Sequence, residues 1–247
     1  MSAIHYARMP QSDAPKLEWV ADFSLHASFG GGVNAETTRQ VEDAHNAIMA
    51  AVVQGAPNHS LRIRAVTPAY ASLLITFETE QFEPHACETM VQAALARALP
   101  RKRQNAQMVE IPVCYDAEFA IDLPTCAAFA GLSPVRFIER HAEAEYRVAF
   151  LGFTPGFPYL LGLPPELAIS RLDAPRPRVA PGSVGIAGAQ TGVYPFATPG
   201  GWRIVGRTPL RIFDARRNPP AHLAIGDRVR FVPISRDQFA QVVEHDA

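Results

Sequence analysis

Arg176 and Arg178 flank a proline in the run Arg176-Pro177-Arg178-Val179-Ala180-Pro181-Gly182-Ser183-Val184-Gly185-Ile186. Residues two apart in an extended segment share a side, so the two guanidiniums read either as facing one anion together or as solvated surface charges. Downstream, Gln190-Thr191-Gly192-Val193-Tyr194-Pro195 supplies uncharged donors and acceptors that read either as orienting a small polar ligand or, for Gln190 and Thr191, as capping a turn. Arg207 and Arg211, four apart in an expected strand, would add positive charge to one face. Upstream, Gly152-Phe153-Thr154-Pro155-Gly156-Phe157-Pro158-Tyr159 packs aromatic rings between prolines that stiffen the backbone. Phe153, Pro155, Phe157 and Tyr159 read either as a packed loop sealing a barrel end or as the wall of a ligand or partner pocket. Trp202, in Thr198-Pro199-Gly200-Gly201-Trp202, reads as core filling or as part of that wall.

Nucleophiles and bases are sparse around these runs. Gly182-Ser183-Val184-Gly185 is not the G-x-S-x-G elbow, which leaves Ser183 a weak nucleophile candidate. His141, the sole histidine between Met108 and Gly201, reads as an exposed or helix-capping side chain. Glu118 and Asp122, four apart, form a possible carboxylate pair, though Pro124 intrudes on the helix that would carry them. The three cysteines, Cys87, Cys114 and Cys126, contain no CxxC, so neither a disulfide framework nor a metal site is expected. Cys114 lies in an alternating strand and reads as a small buried apolar group. No G-K-[ST] phosphate loop occurs, so direct binding of ATP through such a loop is not expected.

The elements that must position these residues follow from periodicity. Trp19 to Phe29 alternates strictly, and its eleven residues suit a hairpin turning near Ala21-Asp22. After Gly30-Gly31-Gly32, Asn34 caps a helix whose inward face is Val41, Ala44, Ile48, Ala51 and Val52, ending at Gly55. Strands are expected over Leu61–Ala65 and Ser72–Phe77, then a helix opened by Pro84 that turns Cys87, Met90, Val91, Ala94 and Leu95 inward. These make a two-layer α/β domain over 17–105, closing on the basic linker Arg101–Asn105. From 106 to 240, strands over Val109–Tyr115 and Tyr146–Leu151 bracket a helix capped by Ser133-Pro134. Short strands are expected at Val184–Ala187, Val193-Tyr194, Arg203–Val205, Leu210–Phe213 and Val229–Val232, a pattern of sandwich or closed barrel.

Composition bounds the function classes. Of 247 residues 22 are proline and 16 glycine, the reverse of average usage at about 7% glycine and 5% proline. Nine of each lie between Gly152 and Gly201, which forbids long helices there. A net charge of −1 gives nucleic acid no long-range attraction, although 21 of the 23 basic residues are arginine. No run of 18 apolar residues occurs, and Met1 to Glu18 lacks an export signal, so a cytoplasmic protein without membrane association is expected.

The run Phe150–Asp214, with Phe-Leu-Gly-Phe-Thr-Pro-Gly-Phe-Pro-Tyr-Leu, Pro-Gly-Ser-Val-Gly-Ile-Ala-Gly, Gln-Thr-Gly-Val-Tyr-Pro, Pro-Gly-Gly-Trp and Gly-Arg-Thr-Pro-Leu, resembles the family of 5-oxoprolinase B subunits. That family is also called allophanate hydrolase subunit 1 and includes an inhibitor of a sporulation histidine kinase. Ile111-Pro112-Val113-Cys114-Tyr115 and Gly226–Phe231 match further landmarks, and Thr67-Pro68-Ala69-Tyr70 matches more weakly. The resemblance implies a ββαββα N-terminal domain and a cyclophilin-like β-barrel. It also implies ATP-dependent opening of 5-oxo-L-proline to L-glutamate in a complex with A and C subunits, the A component using the ATP. Arg176, Arg178 and Arg207 would then meet anionic groups, Gln190, Thr191 and Tyr194 would orient the lactam, and Ser183 with nearby N–H groups would hold an oxyanion. Three glycines that the family places after Tyr115 are replaced here, so no role passes to Asp116 or Ala117. Three alternatives stay open: a histidine-kinase regulator, a carboxyltransferase-type component of a urea-carboxylase-like system, and, on the barrel alone, a prolyl isomerase.

Overall fold

The computed structural model describes residues 14–30, 32, 34–53, 63–78, 82–97 and 108–245, and the chain divides into two compact units, Met1–Arg103 and Gln104–Ala247. Leu61, Gly55 and the linker Arg101–Asn105 lie outside the described residues.

The first unit runs β1 (Lys16–Ala21), β2 (Ser24–Ser28), α1 (Ala35–Val53), β3 (Ile63–Pro68), β4 (Ser72–Phe77), α2 (Pro84–Ala96). That is the ββαββα order, and its antiparallel sheet has the order β1-β2-β4-β3. Ala21 pairs with Ser24, so the hairpin turns on Asp22-Phe23, one residue later than the alternation placed it. Opposite residues alternate between core and outer face: Leu25 pairs with Ile75 and Ala27 with Leu73, all fully buried. Val41, Ala44 and Ile48 of α1 and Cys87, Val91, Ala94 and Leu95 of α2 cover that face in one cluster. Asn34 caps α1, its side-chain oxygen accepting the Thr37 N–H at 2.8 Å.

The second unit holds β5 (Met108–Cys114), α3 (Leu123–Phe129), α4 (Pro134–Glu143), β6 (Tyr146–Leu151), β7 (Pro158–Leu161), β8 (Arg176–Val179), β9 (Ser183–Ala187), β10 (Gln190–Val193), β11 (Thr198–Gly200), β12 (Arg203–Arg207), β13 (Arg228–Ile234) and α5 (Arg236–His245). Seven strands close a barrel in the order β10-β7-β6-β13-β5-β12-β9, while β8 and β11 form a separate ribbon. The β13–β5 pair is parallel and the other barrel pairs are antiparallel. Closure leaves no sheet edge among the seven, and alternate residues such as Val113, Val148, Leu160, Ile186, Val205 and Phe231 fill the interior. Ser133 caps α4 through its hydroxyl, which accepts the Arg136 N–H at 3.2 Å.

Leu210–Phe213 is not a strand. Only an isolated bridge joins Phe213 to Ala221, and β12 ends at Arg207, so Arg207 and Arg211 do not share a strand face. Pro209 explains the break, since it has no N–H to continue the ladder. Conversely, β7, β8 and β11 form within the proline-rich stretch that the sequence reads mainly as loops.

Candidate functional site

The hairpin between β6 and β7 is built by turn chemistry. The Phe157 N–H donates to the Thr154 carbonyl at 3.1 Å, closing a turn with Pro155 second and Gly156 third at φ +77. Proline followed by a left-handed glycine is the type II arrangement. One position escapes that logic. Phe153 has φ +67, and the Thr154 N–H reaches back to the Gly152 carbonyl at 2.8 Å, the mark of a γ-turn in its rarer, strained hand. Among the described residues Phe153 alone carries a side chain at positive φ, at a cost of about 1–3 kcal/mol.

The hairpin delivers its rings into one cluster. Phe157 lies 4.9 Å from Tyr159, 5.1 Å from Tyr194 and 5.3 Å from Trp202, centroid to centroid. Trp202 is also 5.7 Å from Tyr159, and Tyr159 stacks on Phe150 at 4.4 Å. Val179 and Ile204 complete this small core, distinct from the barrel interior. Phe157 and Tyr194 are buried and Trp202 half-buried, so much of the expected wall is packing. Phe153 touches only the edge of the cluster, 5.6 Å from Phe157 and 6.4 Å from Tyr194, and is 60% exposed; Pro155 is exposed beside it. Burial pushes the Tyr194 phenol up to about 12, so it is a protonated donor at neutral pH.

The three arginines have different duties. Arg176 Nη2 donates to Asp122 Oδ1 at 2.7 Å, and the other carboxylate oxygen accepts the Ile204 N–H at 2.7 Å. Asp122 is buried, so Arg176 is committed to neutralising it and tying β8 to β12. Arg207 Nε donates to the Pro181 carbonyl at 2.9 Å, and its guanidinium lies 5.7 Å from the Phe119 centroid and 5.9 Å from Phe239 of α5. Of these three, Arg178 is the one exposed without a hydrogen bond or ion pair to the described residues. The expected joint grip of Arg176 and Arg178 is therefore divided between structure and surface. Glu118 pairs with Arg236 at 2.9 Å, so it does not form a carboxylate pair with Asp122.

Ser183 is buried at the start of β9, and no histidine or carboxylate hydrogen-bonds to its hydroxyl among the described residues. Its N–H donates to Ala180 at 3.3 Å and the Gly182 N–H to Tyr194 at 2.7 Å, so both amides serve the turn. Gln190 is half-buried on β10. Thr191, one residue on, faces the other way and is fully buried, as a period of two requires. The structure thus gathers Phe153, Phe157, Tyr159, Tyr194 and Trp202, leaves Arg178 and Pro155 on the surface, and sends Thr191 into the barrel.

Inside the barrel is a polar chain that sequence reading missed. His141 is fully buried, which corrects the expectation of an exposed or capping side chain. It sits one turn after buried Phe137 on α4 and stacks on Phe231 at 4.8 Å; that i,i+4 spacing was the available signal. The Thr191 hydroxyl donates to the Gly185 carbonyl at 3.0 Å, so its oxygen must accept from His141 Nε2 at 3.4 Å. Nδ1 then accepts from the Tyr115 hydroxyl at 2.8 Å. Burial pulls the imidazole from its ordinary 6.5 to about 3, so it is neutral and works as a structural bridge. Among the described residues no cluster of three histidine, cysteine, aspartate or glutamate side chains suits a metal ion. No described helix is long and apolar enough to cross a membrane.

Chemically the cluster consists of packed aromatic rings with two protonated phenols, and Phe153 is its exposed edge. A family model for the carboxyltransferase domain, subdomain C and D, matches residues 15–223, and the chain belongs to that family. Among its relatives, the B subunit of 5-oxoprolinase from Bacillus subtilis (strain 168) is 38% identical over 234 residues, covering 91% of this chain and 95% of that protein. The protein of the same name from Escherichia coli O157:H7 is 52% identical over 129 residues, 52% of this chain and 59% of that protein. The crystal structure of TTHA0988 superposes with a TM-score of 0.72 at 36% identity, covering 86% of this chain but only 40% of that longer one.

Proposed function

We propose that this chain is the B subunit of an ATP-dependent 5-oxoprolinase, opening 5-oxo-L-proline to L-glutamate together with A and C subunits. The observation that carries this reading is a similarity, 38% identical and nearly end to end in both chains, to the 5-oxoprolinase B subunit of Bacillus subtilis. The substrate is a five-membered lactam bearing a carboxylate. Its recognition calls for one cation, amide-directed hydrogen-bonding groups and flat apolar faces, and this reading gives those roles to Arg178, Gln190 and the exposed Phe153, with the buried Tyr194 ring behind them. A lactam is a poor electrophile, so opening it needs activation. The A component would provide this by phosphorylating the amide oxygen with ATP, in keeping with the absence of a P-loop motif from this sequence.

The test is reconstitution. This chain, its A and C partners, 5-oxoproline and ATP should yield glutamate, and leaving out this chain should stop it. Glutamate formed at an undiminished rate without it would overturn the proposal. Arg178→Ala, Gln190→Ala and Tyr194→Phe should each reduce turnover; full activity in all three would remove the binding role of the cluster. A second reading, a carboxyltransferase component, is favoured by the family description. It requires biotin- and urea-dependent turnover in the same assay.

A further inference from the structure

The Gly152–Phe157 hairpin concentrates two unrelieved features in adjacent residues. Phe153 occupies a left-handed conformation that glycine adopts freely, whereas Gly156, three residues on, is held to glycine both by its φ of +77 and by Phe213, which lies 2.8 Å from where a Cβ would sit. The ring gained at that strained position is 60% exposed and meets Phe157 and Tyr194 only edge-on, at interplanar angles of 80° and 88°. Such edge-to-face contacts contribute about 0.5–1.5 kcal/mol each, which does no more than offset the backbone strain of about 1–3 kcal/mol and leaves most of the ring in solvent. At the next residue, the Thr154 hydroxyl oxygen is buried without a hydrogen-bond partner. Such an orphan is rare in folded proteins and calls for an explanation. Thr154 as a whole is half-buried, and a turn about χ1 is the motion by which its hydroxyl would meet a ligand.

Resting on the 5-oxoprolinase reading, we infer that the Phe153–Thr154 corner is the contact that grips the substrate's planar cyclic amide. The Phe153 ring lies against the amide plane, and the Thr154 hydroxyl hydrogen-bonds to the amide edge. A flat amide suits both features. Its face packs on an aromatic ring, and its N–H and C=O give the orphan hydroxyl the partner it lacks.

Strain makes the role separable from a structural one. Phe153→Gly removes the ring and the backbone strain together, so a ring kept for folding and a ring kept for binding predict opposite outcomes. In the reconstituted complex, Phe153→Gly should melt at the same or a higher temperature and hold its partners unchanged. Its KM for 5-oxoproline should rise about tenfold. Phe153→Tyr should retain the original KM, and Thr154→Val should raise KM with kcat unchanged. A lower melting temperature for Phe153→Gly, weakened assembly of the complex with an unchanged KM, or no change at all would each overturn the inference. If the unaltered complex does not turn over 5-oxoproline, the functional reading fails by itself. Calorimetric titration of this chain with 2-pyrrolidone and 5-oxoproline then decides the corner: binding lost in Phe153→Gly upholds it, and binding absent or indifferent to Phe153 overturns it.

Discussion

His141 shows how much chemistry a residue surrenders when it is buried. With Nε2 donating to Thr191 and Nδ1 accepting from Tyr115, the imidazole has no position left for a proton, and burial holds it neutral. A base whose pKa is 6.5 when unfolded and about 3 when folded stabilises the fold fully above pH 6.5 and loses that contribution as pH falls toward 3. The unfolded state takes up one proton more in that window, so stability should decline by about 1.4 kcal/mol per pH unit on this account. Urea titrations between pH 7 and pH 4 should show that decline, and His141→Gln should flatten this component of the pH dependence. An unchanged slope in the variant would place the acid sensitivity elsewhere.

At the scale of elements, the ribbon β8–β11 and the turn before β9 hold the site's parts in register. Arg176 and Arg178 stand two apart on β8, yet one bridges to Asp122 while the other is exposed. Arg176→Ala leaves a buried carboxylate without its counter-charge and should lower stability by about 2 kcal/mol. Arg178→Ala should leave the unfolding midpoint unchanged and reduce turnover; denaturant unfolding beside the glutamate assay separates the two. Gly182 turns the chain into β9 at φ +80 with its N–H on Tyr194 and its carbonyl on Thr208. Gly182→Ala should cost more than about 1 kcal/mol in the same unfolding experiment, since alanine resists that conformation.

For the whole molecule, the cysteines report on both units. Cys87 lies in the N-terminal core and Cys114 and Cys126 in the barrel unit, all buried and unpaired, and burial raises each thiol, Cys126 to about 11. Thiolate is the reactive form, so all three should resist iodoacetamide in the native protein. They should become labelled only as the unit containing each unfolds, read site by site by mass spectrometry in rising urea. Rapid labelling of any of them in buffer would contradict the packed cores.

Much of this architecture is legible in the order of residues alone. Period-two runs mark β2, β4 and β6, Asn34 and Ser133 announce helix caps, and short strands broken by proline and glycine point to a sandwich or closed barrel, because these signals act over a few residues. The motif runs likewise locate the aromatic hairpin and the family. Tertiary structure alone decided the pairings made across long separations. It separated Arg176 from Arg178 through Asp122, 54 residues from Arg176, and joined His141 to Thr191 over 50 residues. It also strained Phe153 and left the Thr154 hydroxyl alone. Spacing along a chain specifies which face a side chain takes. Which distant group meets it there depends on how the barrel closes, and that is a property of the whole fold.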